Sequence, residues 1–169
     1  MKIITSLSSA RNNGQRHGKG EYIFANGDLY VGEWNNGQKH GEGKFIYANG
    51  CYIGQSKNGQ RHGKGEYIFA NGDLYVGEWN NGQKHGKGQY ISANGDRYVG
   101  EWRDDKMDGY CRYENKTGVT VIEGYWKDDL LYERSKGDQL HERSNEIKSR
   151  IIESEISRQI NPAGSYCYG

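Results

Sequence analysis

The stretch that decides the fold is Tyr30-Val31-Gly32-Glu33-Trp34, because the same five-residue word returns along the chain. It recurs intact at 75–79 and 98–102, and once in altered form as Tyr52-Ile53-Gly54-Gln55-Ser56, where serine replaces the tryptophan. The longer block 13–41 is repeated residue for residue as 58–86. This offset of 45 residues divides into units of 23 and 22, so the chain is an array of short internal repeats.

Two further words recur in register with the first. The first is His-Gly-x-Gly, which begins at His17, His40, His62 and His85, and the second is Asn-Gly, which begins at Asn26, Asn49, Asn71 and Asn94. Segments 21–24 and 30–34 on either side of the first Asn-Gly are short, aromatic and β-branched, which is typical of strands. Asn-Gly favours a two-residue hairpin turn in which both residues have positive φ. We therefore predict one β-hairpin per unit, with Gly-rich loops such as 35–41 joining the units.

Strand alternation predicts two different faces for each hairpin. Tyr30, Gly32 and Trp34 share one face, and Val31 and Glu33 share the other. We expect the glycine to leave room for an aromatic ring from a neighbouring strand. Two strands per unit advance the array by roughly 10 Å, so five units would form a rod of about 50 Å.

These registered words closely resemble the MORN (membrane occupation and recognition nexus) repeat family over about residues 13–130. The resemblance implies an all-β array of stacked antiparallel β-hairpins that forms an elongated, twisted and curved sheet with an aromatic-lined groove. The chain departs from the pattern at Ser56 and Gln55, at a one-residue deletion near Cys51, and in a weak fifth unit where Ile122 replaces the tyrosine.

We divide the chain into an N-terminal half-repeat or cap (1–12), the hairpin array (13–132), and a C-terminal helix and tail (133–169). The degraded fifth unit is typical of a terminal cap. Residues 138–160 contain neither Gly nor Pro and predict an α-helix that ends at Asn161-Pro162. That helix carries two apolar stripes, which leaves open a cap on the last hairpin, a dimerisation or partner-binding helix, or a membrane-surface helix.

Composition and charge narrow the function classes. The 14 Tyr, 4 Trp and 3 Phe supply the large apolar surfaces that disordered chains lack. A net charge of +1 falls short of the basic footprint of a nucleic-acid-binding domain. The three cysteines are far apart in sequence, which indicates reduced thiols and a cytoplasmic location, with membrane or cytoskeletal association left open.

Catalytic and metal chemistry are disfavoured by the repeat itself. Equivalent histidines of successive units stand roughly 10 Å apart, whereas the ligands of one zinc ion lie about 2 Å from it. We see no nucleophile–base pair, so we predict no enzyme, no metal and no cofactor. The repeated carboxylates Glu33, Glu78 and Glu101 are expected to pair with neighbouring Lys or Arg.

We predict a non-enzymatic scaffold that binds an extended or helical segment of a partner protein. The candidate groove residues are Tyr30, Trp34, Tyr52, Tyr75, Trp79, Tyr98 and Trp102. The alternative is a peripheral adaptor that contacts anionic phospholipid through a basic edge made by Arg16, Lys19, Arg61, Lys39, Lys64, Lys84 and Lys87. A homodimer through the C-terminal helix or a terminal hairpin, and an accessory role beside an enzyme in trans, are further alternatives.

Overall fold

The computed structural model describes residues 10–134, and within them the chain is β-strand joined by tight turns. The strands are β1 (Arg11–Asn12), β2 (Gln15–Arg16), β3 (Gly18–Ile23), β4 (Leu29–Asn35), β5 (Gln38–Tyr47), β6 (Gly50–Lys57), β7 (Gln60–Phe69), β8 (Leu74–Asn80), β9 (Gln83–Ile91), β10 (Arg97–Arg103), β11 (Lys106–Glu114), β12 (Thr120–Lys127) and β13 (Leu130–Arg134).

Strands β3 to β13 form one eleven-stranded sheet in which every strand pairs with its neighbours in sequence. All of these pairs are antiparallel, and β1 and β2 form a separate two-stranded hairpin. At about 4.8 Å per strand the sheet is roughly 50 Å across. The predicted all-β hairpin array is therefore confirmed, whereas the predicted helix at 138–160 lies outside the described residues.

The joins between units are tighter than the sequence suggested. Asn36 and Gly37 both have positive φ (47° and 79°) and form a two-residue turn between β4 and β5. The prediction of a Gly-rich loop over 35–41 was wrong, because residues 38–41 already belong to β5. Equivalent turns with two positive φ values follow at residues 58–59, 81–82, 104–105 and 128–129.

The Asn26-Gly27 turn is of a different type from the predicted one. Only Gly27 has positive φ (90°). The Phe24 N–H donates to the Asp28 carbonyl oxygen at 2.8 Å and the Gly27 N–H donates to the Phe24 carbonyl oxygen at 2.9 Å. Three residues therefore lie inside the loop, as in a type I turn followed by a left-handed glycine, and the two-residue prediction was wrong here.

Two cross-strand rows run side by side over the same ten strands, β3 to β12. One row is aromatic except at its last position and consists of Tyr22, Tyr30, Phe45, Tyr52, Tyr67, Tyr75, Tyr90, Tyr98, Tyr113 and Ile122. The other is glycine except at one position and consists of Gly20, Gly32, Gly43, Gly54, Gly65, Gly77, Gly88, Gly100, Cys111 and Gly124. We call the side that carries these rings the aromatic face, and the opposite side the aliphatic face.

The glycine row exists because tyrosine rings lie flat across it. A Cβ atom built on Gly43 would stand 2.5 Å from Tyr30 Oη, and one on Gly32 would stand 2.6 Å from the same atom. The Tyr30 hydroxyl then donates to the Glu33 carbonyl oxygen at 2.9 Å. The ring over Gly32 therefore comes from the same strand, not from a neighbouring strand as predicted, and it extends over the neighbour's Gly43.

Candidate functional site

Most of the predicted groove residues form the core. Their exposed fractions lie between 0 and 6% for the six residues Tyr30, Trp34, Tyr52, Tyr75, Trp79 and Trp102. Each ring packs edge-on against at least one other of the six, as in the Tyr75–Trp79 pair with ring centroids 5.1 Å apart. These six side chains therefore hold the sheet together and offer little surface to a partner, whereas Tyr98 is half-buried.

A second set of rings keeps part of its surface exposed, and we call these the outer rings. They are Tyr22, Phe24, Tyr47, Phe69, Tyr90, Tyr98 and Tyr113, all half-buried against the core. Some successive members touch, as in Phe69–Tyr90 at 5.7 Å and Tyr98–Tyr113 at 5.0 Å between centroids, and the buried rings of Phe45 and Tyr67 connect Phe24, Tyr47 and Phe69. Only Tyr98 was predicted, although the Tyr-x-Phe pattern before two of the Asn-Gly turns, and Phe-x-Tyr before a third, marks several of the others.

Three of the four tryptophans, Trp79, Trp102 and Trp126, donate a hydrogen bond to a backbone carbonyl oxygen of the glycine row. Trp79 Nε1–H donates to the Gly65 carbonyl oxygen at 3.1 Å, and Trp102 Nε1–H donates to that of Gly88 at 3.2 Å. Ser56 interrupts the series, but ring contacts continue past it through Tyr47 and Tyr67, whose centroids are 6.0 Å apart. The aromatic face is therefore continuous from one end of the sheet to the other.

Four cations lie over the rings of this face, one in each of the first four units. We call Arg16, Lys39, Arg61 and Lys84 the cation row. The Arg16 guanidinium is 3.7 Å from the Tyr22 ring centroid, and Lys39 Nζ is 3.7 Å from that of Phe45. The second pair, Arg61 and Lys84, lies over tryptophan rings at 4.3 and 4.5 Å.

A repeated backbone contact holds the cation row in place. The backbone carbonyl oxygen of each of these residues accepts a hydrogen bond from the N–H of the second turn residue in the next unit. Gly37 donates to Arg16 at 2.9 Å, and Gly59 donates to Lys39 at 3.0 Å. The same bond follows at Arg61 and Lys84, and then at Met107, which accepts from Asp129 at 3.1 Å. Because the turns stack in this way, the five side chains occupy equivalent positions.

The other three predicted lipid-contact residues lie on the opposite side of the sheet. Lys19, Lys64 and Lys87 are exposed on the aliphatic face, in register with Glu33, Glu78 and Glu101. All seven basic side chains come from strands. The prediction of one basic edge was wrong, because alternation along each strand sends the two subsets to opposite faces.

The repeated carboxylate has a backbone partner. Glu78 Oε1 accepts a hydrogen bond from the Lys87 N–H at 3.2 Å, and in the altered unit Gln55 Oε1 accepts one from the Lys64 N–H at 3.3 Å. This position closes the bulge that precedes the glycine row, where the register shifts between Gly77 and Glu78. Ion pairing with Lys or Arg was predicted, whereas Glu78 supports the sheet by satisfying a backbone donor.

Residues 10–134 contain no cluster of three or more His, Cys, Asp or Glu side chains arranged to hold a metal ion. Over the same residues there is no helix long and apolar enough to cross a membrane.

A family model for the MORN repeat matches five consecutive segments: 12–29, 30–51, 52–74, 75–97 and 98–120. The chain belongs to the MORN repeat family. MORN repeats are a non-catalytic scaffold and are generally protein- or membrane-binding motifs. A comparison with curated proteins gave no significant match.

The hairpins of this MORN-repeat protein continue beyond the matched segments. Strand β12 and strand β13 complete a further hairpin after residue 120, with Ile122 and Trp126 buried in the same core. The fifth unit that the sequence marked as degraded therefore keeps its hairpin and its tryptophan.

Burial shifts the pKa values of several groups on the aromatic face of the MORN array. It lowers the pKa of Lys39 to about 8, against the opposing effect of the Asp28 carboxylate. It raises the pKa of Tyr30 and that of Tyr47 to about 12. Because a pKa of about 8 lies just above neutral pH, the Lys39 side chain is mostly charged at neutral pH and loses its charge at slightly higher pH.

Proposed function

We propose that the chain is a non-enzymatic scaffold whose aromatic face binds a segment of a partner protein. The observation that carries the proposal is the set of outer rings, which are half-buried, lie on a single-layer sheet and are connected into one series by the buried rings of Phe45 and Tyr67. Aromatic side chains on a sheet normally pack against a second layer. Within residues 10–134 no second layer covers this face.

The outer rings have the properties of binding anchors. They are rigid, because their inner edges pack against buried Tyr and Trp, and rigid aromatic groups bind with a small loss of conformational entropy. Interface cores are enriched in such residues, and a few of them contribute most of the binding free energy. A partner would gain by covering these rings without disturbing the core below.

The experiment is a selection from a random 16-residue peptide library displayed on phage, with the full chain as target. Phe24→Ser with Phe69→Ser removes two outer rings, and Ile53→Ser with Val76→Ser is the matched control on the aliphatic face, where both side chains are exposed. We expect selected peptides to lose at least about tenfold in affinity with the first variant and to keep it with the second. Peptides that bind equally well without Phe24 and Phe69 would refute the proposal.

A peripheral membrane adaptor is the second candidate function, and it can be tested with the same protein. Its basic residues lie on both faces, so a flat bilayer can reach only one subset at a time. Lys19, Lys64 and Lys87 also share their face with the repeated glutamates. Sedimentation with phosphatidylserine vesicles, repeated with Lys64→Glu, Lys84→Glu and Lys87→Glu together, tests it; loss of binding in that variant and at raised salt would support the adaptor.

A further inference from the structure

The aromatic face differs in charge between its two ends. The equivalent position of each unit holds a cation in the first four units, and the fifth unit has Met107 there. In the unit after that, the equivalent residue is Leu131, which pairs with Trp126 across the strands as Met107 pairs with Trp102. Met107 is buried, and the replacement makes this end of the row apolar.

Within the described part of the chain, the first three cations of the row contact aromatic rings and form no ion pair with a carboxylate. None of the ion pairs within residues 10–134 includes Arg16, Lys39 or Arg61. Arg61 donates instead to the Gly82 carbonyl oxygen at 2.6 Å. Cations of later units are paired, as Lys127 is with Asp108 at 2.6 Å. The positive charges of Arg16, Lys39 and Arg61 are therefore available to a partner that brings its own anions.

We propose that this face binds a polypeptide segment of defined direction, with carboxylate side chains over Arg16, Lys39 and Arg61 and apolar side chains over the end of the face that carries the buried Met107 and the half-buried Leu131. The proposal rests on the scaffold function above and specifies the partner that the scaffold takes. Complementary charge would fix the direction of the segment, because a reversed segment would place apolar groups on half-buried cations and carboxylates on an apolar surface.

The repeat spacing sets the pattern that such a segment must show. Equivalent cations are two strands apart, which is roughly 10 Å. A polyproline II chain rises about 3.1 Å per residue with three residues per turn, so every third residue matches this distance and faces the same side. An α-helix rises about 1.5 Å per residue and matches it every seventh residue. Acidic residues at one of these two periods are therefore expected.

The peptide selection described above tests the proposal when the selected sequences are read for composition. We expect Asp and Glu enriched in one half of each peptide, at every third or seventh position, and apolar residues in the other half. Peptides that depend on Phe24 and Phe69 but show no acidic enrichment would overturn this inference and leave the scaffold function standing. Peptides that do not depend on those rings would refute the scaffold function itself.

A charge-matched pair of variants locates the acidic half. Lys39→Met with Arg61→Met removes two charges from the cation row and introduces the side chain that the chain itself carries at Met107. Lys64→Met with Lys87→Met removes the same charge from the aliphatic face. Fluorescence anisotropy with the best selected peptide should show at least about tenfold weaker binding for the first variant and little change for the second. Equal effects in both variants would overturn the proposal.

The direction of the bound segment is tested by extending the cation row to the position of Met107. Met107→Lys should weaken binding of the same peptide several-fold, because its apolar half would then meet a charge, and thermal unfolding would verify that this variant remains folded. Tighter binding to Met107→Lys would contradict the proposed direction. If the Lys39, Arg61 double variant no longer binds phosphatidylserine vesicles but still binds the peptide, the cation row serves a membrane and the proposal is overturned.

Discussion

Cys111 Sγ donates to the carbonyl oxygen of Glu101 at 3.2 Å, and this bond replaces one that a tyrosine makes in the earlier units. There, the hydroxyls of Tyr30, Tyr52 and Tyr75 donate to the equivalent carbonyl at 2.7–3.1 Å. Cys111 occupies the one non-glycine position of the glycine row. Its thiol stands where the next ring would lie, and Tyr98 is half-buried as a consequence.

Restoring the glycine should therefore restore the tyrosine bond. In Cys111→Gly, the Tyr98 ring is expected to lie over the glycine row and its hydroxyl to donate to Glu101. A hydrogen bond of this kind contributes about 1 kcal/mol to the free energy of unfolding. Tyr98→Phe should cost about 1 kcal/mol more in the Cys111→Gly background than in the wild type, as measured by urea unfolding in a double-mutant cycle.

Tyr75→Phe is the reference for that cycle, because its hydroxyl already donates to Glu78 at 3.1 Å over two glycines. Its cost should match that of Tyr98→Phe in the glycine background. A coupling of zero between positions 98 and 111 would show that the thiol does not displace the ring.

Where a tyrosine ring lies over it, the glycine row tolerates no side chain for steric reasons. A Cβ atom on Gly77 would lie 2.6 Å from the Gly88 Cα and 2.6 Å from Tyr75 Oη. Gly77→Ala should lower the free energy of unfolding by about 3 kcal/mol, since neither the backbone nor the packed ring can move away. Chemical denaturation measures this loss.

Gly82→Ala is the matched control for Gly77→Ala. Gly82 has φ of +87°, and a Cβ atom placed on it would have no neighbour within 4 Å. Alanine there costs only the left-handed backbone conformation, about 1–2 kcal/mol. Equal losses at positions 77 and 82 would mean that backbone conformation, not ring packing, explains the glycine row.

The sequence predicted the hairpin array well because the repeat places the same residues at the same strand positions many times. It predicted the turn types poorly, since Asn-Gly occurs at both kinds of turn and only the number of enclosed residues distinguishes them. The sequence also could not distinguish the rings that are buried from those that are half-buried. Tyr75 and Tyr98 occupy the same position in the word, and the difference between them depends on residue 111, which lies on the next strand.

The distribution of basic residues shows a similar limit. Lys84 and Lys87 are three residues apart and form one cluster in the sequence. The bulge between them and the alternation of the strand place Lys84 over the Trp102 ring and Lys87 opposite Glu101 on the other face. Separating them requires recognising Gln83–Ile91 as a strand, whereas its Gly-rich start predicted a loop.

The role of Glu78 as a backbone acceptor predicts that its charge matters little. Glu78→Gln should leave the free energy of unfolding within about 0.5 kcal/mol of the wild type, because Gln55 makes the same bond in its own unit. Glu78→Ala should cost about 1 kcal/mol, since the Lys87 N–H loses its acceptor. If the glutamine variant were as destabilised as the alanine variant, an ion pair would be the better account.

Lys39 should make stability depend on pH in an unusual direction. Burial among the rings lowers its pKa to about 8, with Asp28 opposing and Arg61 reinforcing this shift, whereas the unfolded chain titrates near 10.5. Between these values the unfolded state binds more protons, so the free energy of unfolding should rise with pH from about 8 to 9.5. Urea unfolding should show this rise in the wild type and a smaller one in Lys39→Met. An NMR titration of the Lys39 side chain with its midpoint above 10 would contradict the prediction, and would mean that the rings favour the charged ammonium more than burial opposes it.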